Sequence, residues 1–378
     1  MDFRYRREGN ELYAEMPFAL FLAGLAPSFE RLMLLGRVVP GPGRLAHRLP
    51  PGAELVGLPL YEDASKWASL LRTLPRTLAA FVRATRQADA VLVFGPGPFA
   101  VLLVLTAVAA RRAVVLGVRQ HYPDYIRYRH PGRRVFRLAG AVLEGVWQAL
   151  SRRMSTVVVG PDLAHSYRHA RRLLEITVSL VSERDVVPLE EAVSRKYDGE
   201  LRVLSVGRLD PEKNPLLLAD VLAALMRGGG RWRLLVCGEG TLQQALAERF
   251  EQLGVADAAE LRGYVPVDGG LRALYRECHM LLHVSLTEGL PQVLYEAFAA
   301  GLPSVATEVG GVGRGPERPA LVLVPPADAD AAAAALRGVA ADAGLRAELI
   351  RGGLELARER TMAGECARVG RFVLAAAR

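Results

Sequence analysis

Cysteine is scarce in this chain and lysine nearly missing. Only Cys237, Cys278 and Cys366 occur among 378 residues. They are too few and too scattered for a disulfide framework or a zinc site, so a reducing cytoplasm is the expected compartment. The opening MDFRYRREGN has no apolar signal core. Long apolar runs are also lacking. The most apolar stretch, VLVFGPGPFAVLLVLTAVAA over 91–110, approaches the length of a membrane span. Gly95-Pro96-Gly97-Pro98 cuts it, so it reads as a short strand followed by a buried helix. Lysine occurs at 66, 196 and 213 alone, leaving 45 of 48 basic residues as arginine. The bias fits a GC-rich, bacterial coding sequence, and it makes a lysine inside a motif more informative.

What is present fits a globular protein with ample core: 51% hydrophobic and 23% charged residues. At roughly 100–200 residues per domain, the length predicts two domains. The charge is uneven. Residues 1–195 hold 27 Lys+Arg against 17 Asp+Glu, and residues 196–378 hold 21 against 23. The basic character belongs to the amino half, which favours acidic partners such as phosphates or anionic lipid. No RNA-binding signature or recognition-helix motif accompanies it, and nucleic acid is not an expected partner.

Strand-like runs alternate with helical patterns, which predicts parallel sheets with right-handed crossovers. In the amino half strands are expected near 32–39, 54–58, 91–94, 113–117, 155–159 and 176–181. Helices are expected near 65–87, 98–110, 133–153 and 162–170. In the carboxyl half LRVLSVG (201–207), WRLLVCG (232–238), ELRGYV (260–265), MLLHVS (280–285), PSVAT (303–307) and ALVLVP (320–325) read as strands. The charged stretch 182–200 lacks apolar periodicity and reads as a linker. The expected division is an α/β domain over 1–185, a linker over 186–200, a second α/β domain over 201–360, and a terminal helix within 361–378 that crosses back. Ligands in open α/β sheets sit at the carboxyl ends of strands, here a cleft between two facing halves. One departure stands at the start. Such a half opens on a buried apolar strand, yet only DFRY precedes the turn at Gly9-Asn10. Either the first strand is short, or the native start lies upstream.

TEGLPQVLYEAFAAGLPSVATE, residues 287–308, carries the chemistry. Pro291 suits a first helical position, and Gly301 with Pro303 marks the end. The first free N–H groups, from Gln292 onward, would form an anion site at the end of the preceding strand. Glu288 in the turn would accept hydrogen bonds from hydroxyls alongside. Glu296, about one and a half turns into the helix, could accept them from a vicinal diol. A phosphate flanked by two polyols describes a nucleotide sugar. SVGRLDPEKNPLLLADVL, 205–222, places Gly207, Arg208 and Lys213 at another strand end, where two cations could neutralise a diphosphate. LLVCGEGTLQQAL adds Gly240, and LRGYV brings Tyr264 to a strand end where a base could stack. Asp328 to Asp330 spell Asp-X-Asp but precede an alanine-rich helix, where Asp is an ordinary N-cap. His279 and His283 read as packing or surface residues rather than metal ligands.

Together these segments resemble glycosyltransferase family 4, whose members have the GT-B fold of two facing Rossmann-like domains with a cleft between them. The resemblance runs from about 201 to 326 and includes the family's pair of glutamates, here Glu288 and Glu296. It implies a retaining, metal-independent transferase that uses a nucleotide-diphosphate sugar, such as a UDP-sugar, with no cofactor. Arg208 and Lys213 would bind the donor diphosphate, Glu288 the transferred sugar and Glu296 the ribose. Gly289, Leu290, Pro291, Gln292, Val293 and Leu294 would lend backbone groups. In the amino half the family's glycine pair matches Gly9 followed by Asn10, and its histidine matches His121, with Arg119 as the rival alignment. The acceptor would be a natural product, a glycan or a lipid-linked glycan. QHYPDYIRYRHPGRRVFR, 120–137, interleaves tyrosines and arginines that would meet an anionic acceptor or the inner face of a membrane. The alternatives are a non-catalytic nucleotide-sugar-binding protein, or an epimerase or phosphorylase of the same fold.

Overall fold

The computed structural model describes residues 4–9, 11–39, 47–60, 67–129, 132–315 and 320–378. Fifteen strands are seen among them, in three sheets. The first sheet holds β1 (Arg4–Glu8), β2 (Glu11–Ala14), β3 (Leu32–Val38), β4 (His47–Arg48) and β5 (Ala53–Leu58), in the order β4-β2-β1-β3-β5. The second holds β6 (Ala90–Gly95), β7 (Ala113–Val118), β8 (Ser155–Val159) and β9 (Arg172–Ile176), parallel and in sequence order. The third comprises β10 (Glu200–Val206), β11 (Arg231–Cys237), β12 (Ala259–Gly263), β13 (Met280–His283), β14 (Ser304–Thr307) and β15 (Leu321–Val324). Its order, β12-β11-β10-β13-β14-β15 with every pair parallel, is that of a doubly wound sheet.

The strands form where apolar residues run without interruption. Parallel strands covered on both faces need side chains that bury in both directions. In β8 every residue of STVVV is buried, as is every residue of MLLH in β13. The stretch 91–110 divides at its Gly-Pro-Gly-Pro as the composition predicts: β6 ends at Gly95 and a helix spans Pro98–Ala109. The helices of the amino half are α1 (Phe18–Ala23), α2 (Trp67–Arg86), this helix as α3 (Pro98–Ala109), α4 (Tyr122–Arg129), α5 (Arg134–Ser151) and α6 (Pro161–Ser166). No helix among the described residues is long and apolar enough to cross a membrane.

One expected strand is absent. ITVSLV, 176–181, is apolar enough to be one, but the chain leaves the sheet after Ile176. Its backbone pairs with the carboxyl-terminal helix, Met362–Ala377, instead. The Thr177 amide donates to the Glu365 carboxylate (3.2 Å), and the Met362 amide to the Val181 carbonyl (2.8 Å). Periodicity cannot distinguish this buried crossing from a strand, since both need apolar side chains. The strand lies earlier, in RLLEI. The terminal helix fastens the amino half further: Arg368 donates to the Glu175 carbonyl (2.9 Å), and Arg172 to that of Ala375 (3.1 Å).

Candidate functional site

Three loops at the carboxyl ends of β10, β11 and β13 meet in the cleft. The first, after Val206, turns through Gly207 and Arg208 into a short 3-10 turn at Pro211–Lys213. The loop after Cys237 packs directly on it. The Gly207 amide donates to the Cys237 carbonyl (3.0 Å), and that of Leu209 to Glu239 (2.9 Å). Gly240 sits so close to the Leu209 backbone that a Cβ there would collide with it.

The loop after β13 carries Glu288, whose Oε1 gathers several donors. Lys213 Nζ pairs with it, Ser285 Oγ donates to it at 2.6 Å, and His283 Nε2 lies 3.0 Å away. Its side chain is 10% exposed. Burial alone would raise its pKa, but the Lys213 charge and the His283 hydrogen bond outweigh this. They hold the carboxyl well below the usual carboxylate range, so Glu288 is an anion with fixed orientation.

Arg208 pairs with Asp210 and, at 2.6 Å, with Glu212. The amino half adds Arg129, from the last turn of α4, 2.5 Å from Asp210. Thr241 donates to the other Asp210 oxygen through its amide (3.2 Å) and its hydroxyl (3.1 Å). Burial opposes ionisation of Asp210, yet these donors and the Arg208 charge keep its pKa below the ordinary value. Arg119, from the end of β7, lies over the Phe18 ring at 4.0 Å. Burial, with the nearby Arg208 charge, lowers its pKa to about 10. Its carbonyl oxygen touches the backbone at Gly289, where a Cβ would overlap it. Only glycine lets the two halves approach this closely.

The helix Gln292–Ala299 begins after Pro291, and the Gln292 and Val293 amides are the donors of its open first turn. Gly289 and Leu290 are buried between the halves, and Leu294 is in the core. Glu296 lies further along, in a separate cavity of about 190 Å³ whose walls include Leu180, Pro266, Val267, Arg272 and Tyr275. It accepts a hydrogen bond from the Tyr275 hydroxyl at 2.9 Å. Burial raises its pKa, partly offset by Tyr275 and Arg272. Tyr264 packs edge-on against His47, 6.4 Å between centroids.

Of the residues singled out from sequence, Gly207, Arg208, Lys213, Gly240, Glu288, Gly289 and the start of the following helix come together. Gly9 does not join them: it sits in the exposed β1–β2 turn, and its neighbour Asn10 lies outside the described residues. His121 turns to Asp124 (2.7 Å), whose carboxylate raises its pKa against burial. Its rival Arg119 is the one the fold brings beside Arg208 and Glu288. Of the segment 120–137, His130 and Pro131 lie outside the described residues. Asp328 accepts from the Ala331 amide (2.9 Å) and caps the helix Ala329–Ala341. His279 accepts from the Arg202 amide (2.9 Å) and packs edge-on against Tyr197. His283 corrects its reading as a packing or surface residue, because it bonds Glu288. Asp210, Glu212 and Arg129 were also not anticipated. Two of them stand inside the RLDPEK motif, and the spacing of that motif was the signal for them.

Residues 187–355 match the family described as Glycosyl transferases group 1. The amylovoran biosynthesis glycosyltransferase AmsD of Erwinia amylovora is 32% identical over 124 residues, which cover 33% of each chain. The matches thus span about a third of the length of the curated relatives. Over nearly the whole chain, the fold is similar to that of sucrose-phosphate synthase from Thermosynechococcus elongatus. The TM-score is 0.72 at 21% identity, covering 94% of this chain and 92% of that one. Anabaena HepE, solved with UDP and glucose, gives a TM-score of 0.68 at 17% identity, covering 98% of both chains. The architecture is GT-B.

Proposed function

We propose that this chain, whose residues 187–355 match the glycosyl transferases group 1 family, is a retaining glycosyltransferase that works without a divalent metal. It moves a sugar from a nucleotide-diphosphate sugar to an acceptor hydroxyl. The observation that carries the reading is the convergence of Arg119, Arg208 and Lys213 with a helix start around the buried carboxylate of Glu288. A diphosphate leaving group gains charge as the bond to the anomeric carbon breaks. Preorganised cations and amides beside it stabilise that charge most where water is excluded.

The acceptor oxygen attacks the anomeric carbon on the face the diphosphate leaves. The acceptor's proton passes to the departing phosphate oxygen, and the anomeric configuration is kept. Arg208 and Lys213 neutralise the diphosphate, and the Gln292 and Val293 amides bond it. Glu288, already anionic, accepts hydrogen bonds from hydroxyls of the transferred sugar. Glu296, in its own cavity beside Tyr275, accepts them from the ribose. Pro266 and Val267 offer that cavity's apolar wall to the base. The relative bound to UDP and glucose supports a UDP-sugar. Arg119 and Arg129 bring the amino half onto the donor loops and close the cleft over them.

The acceptor is read from α5. Val135, Leu138, Val142 and Val146 repeat along one face, and the first three are 78%, 68% and 56% exposed. Arg133, Arg134 and Arg137 flank them, all exposed. An apolar stripe edged by arginine suits the surface of an anionic bilayer, and hence a lipid-linked acceptor.

Incubation with a panel of UDP-sugars and lipid-linked acceptors in the presence of chelator tests the reading. Product by mass spectrometry, with the donor's anomeric configuration by NMR, is expected. Donor binding without turnover on any acceptor would make the protein a nucleotide-sugar-binding module. Dependence on an added divalent ion would refute the metal-free mechanism.

A further inference from the structure

Glu288 takes all its donors on one oxygen. Lys213 Nζ, Ser285 Oγ and His283 Nε2 each meet Oε1. Among the described residues no hydrogen bond reaches Oε2. A carboxylate fastened by one oxygen keeps both lone pairs of the other for a ligand.

His283 is the unusual member of this group. It closes β13, a strand between β10 and β14, and stands opposite Ala306. Side chains alternate along a strand, so the ring shares the face of Leu281, which belongs to the core. It is buried. An imidazole there costs free energy unless its polar atoms are bonded, and an aliphatic side chain would carry no such cost. What histidine adds at this position is the contact with Glu288.

The geometry fixes where the ring carries its proton. The Lys213 charge and the His283 hydrogen bond hold the Glu288 carboxyl well below the usual carboxylate range. As an anion it can only accept. The one hydroxyl hydrogen of Ser285 is directed at Glu288, at 2.6 Å. Toward His283, 3.1 Å away, the same Oγ can only accept. Both neighbours of Nε2 are acceptors, so Nε2 bears the hydrogen and shares it between them. Ser285 is itself immobilised. It is buried, and its carbonyl accepts from Thr307 Oγ1 of β14 at 2.7 Å. The Leu286 amide then ties this loop to the one that bears Lys213, donating to the Glu212 carbonyl at 3.0 Å.

The Lys213 ammonium has two anions to serve once a donor enters. In the transferase reading, on which this inference rests, it neutralises the diphosphate. An ammonium drawn toward phosphate is a weaker partner for Glu288. We propose that His283 is a positioning residue for this reaction. Its Nε2–H keeps Glu288 anionic, with Oε2 presented to the donor sugar, while Lys213 serves the diphosphate. It acts through Glu288 and touches neither substrate. A hydrogen bond to a charged acceptor is the strong kind, which suits it to that task better than the Ser285 hydroxyl alone.

Two measurements test this on the full chain. The first is NMR of protein labelled with ¹⁵N-histidine, the His283 ring signals being assigned by their loss in His283→Gln. Nε2 is expected to carry the proton at neutral pH, with and without UDP; an unprotonated Nε2 would overturn the proposal. The second is kinetic. His283→Leu keeps an apolar side chain in the core and removes the N–H. It should lower kcat at saturating donor by about tenfold or more, the scale of one hydrogen bond to a charged group. Its affinity for free UDP, by calorimetry, should stay within twofold. His283→Gln offers an amide N–H near the place of Nε2 and should recover kcat to within about threefold of wild type. In a Glu288→Gln background, His283→Leu should cost less than twofold more. A merely structural histidine predicts otherwise: equal losses in the leucine and glutamine variants, a fall in UDP affinity, or an undiminished loss beside Glu288→Gln. Any of these, or wild-type kcat in His283→Leu, would overturn the positioning role while leaving the transferase reading intact. A wild type that turns over no acceptor would refute the transferase reading itself, and the positioning role with it.

Discussion

Replacing Lys213 by methionine removes one charge and keeps most of the stem. In the folded protein Lys213 Nζ pairs with Glu288 Oε1, and the two side chains are 23% and 10% exposed. Removing one partner of a buried pair costs about 3–5 kcal/mol when the other is stranded. Glu288 would not be stranded, because Ser285 and His283 still reach the same oxygen at 2.6 and 3.0 Å. The remaining loss is about 2 kcal/mol, the scale of one hydrogen bond to a charged group. In a chain of this size that lowers the Tm by about 2.5 °C at pH 7. The pH dependence has a definite sign. The Glu288 pKa is depressed on folding. Its stabilisation is therefore complete above the unfolded value of about 4.3 and fades as pH falls from there toward the folded value. The gap in Tm between wild type and Lys213→Met should close over that acidic window. Turnover should fall about 100- to 1000-fold, as for loss of one preorganised charge partner. Thermal melts from pH 3 to 8, with initial rates at saturating donor, decide the matter. A Tm gap of zero at neutral pH would refute the pair's contribution to stability, and wild-type turnover would refute the diphosphate role.

Glu296→Gln should weaken binding of free UDP by roughly tenfold, about 1.4 kcal/mol, in calorimetry, while Glu288→Gln leaves UDP binding intact and lowers turnover; the reverse pattern means the two roles are exchanged. Gly289→Ala should separate the two halves where Arg119 touches the backbone, and small-angle scattering should show a larger radius of gyration with turnover reduced at least tenfold. Asp124→Asn removes the partner that raises the His121 pKa, so the His121 midpoint in an NMR titration should move down and turnover should stay within threefold, unless His121 is catalytic. Arg133→Glu with Arg134→Glu should abolish co-sedimentation with anionic vesicles at low salt, each basic residue contributing about 1 kcal/mol, without changing the Tm.

Much of the carboxyl half was legible because its information is local. LRVLSVG, WRLLVCG and MLLHVS are buried on both faces, so the apolar run itself marks the strand, and Pro291 with Gly301 brackets the helix between them. Gly207, Arg208, Lys213 and Glu288 follow from position, since each comes soon after a strand's carboxyl end. What the sequence concealed was pairing between distant segments. Nothing near Arg129 indicates that it reaches Asp210, or near Thr177 that its amide is satisfied by Glu365 instead of a sheet. Arg119 and His121 differ by two positions, and only the fold turns one toward Glu288 and the other toward Asp124. His283 was undervalued because a histidine inside an apolar strand is usually core.

The terminal helix also sets the order of events as the chain is made. Its Cys366 thiol reaches the Phe21 carbonyl (3.4 Å), and Glu365 satisfies the Thr177 amide. Phe21 and Thr177 lie in the first half of the chain, while the helix is the last of the described elements to be synthesised. At about 5–20 residues per second, roughly 10–40 s separate Thr177 from Glu365 at the ribosome. During that interval the amino half has its strands but not its cover, and the apolar face of β7 that Val369 and Val373 will bury is open to solvent. Folding of the first-made domain must wait for a helix made long after it. Nascent chains arrested short of residue 362 should therefore engage a hydrophobic-binding chaperone, and release it only when the final turn has emerged.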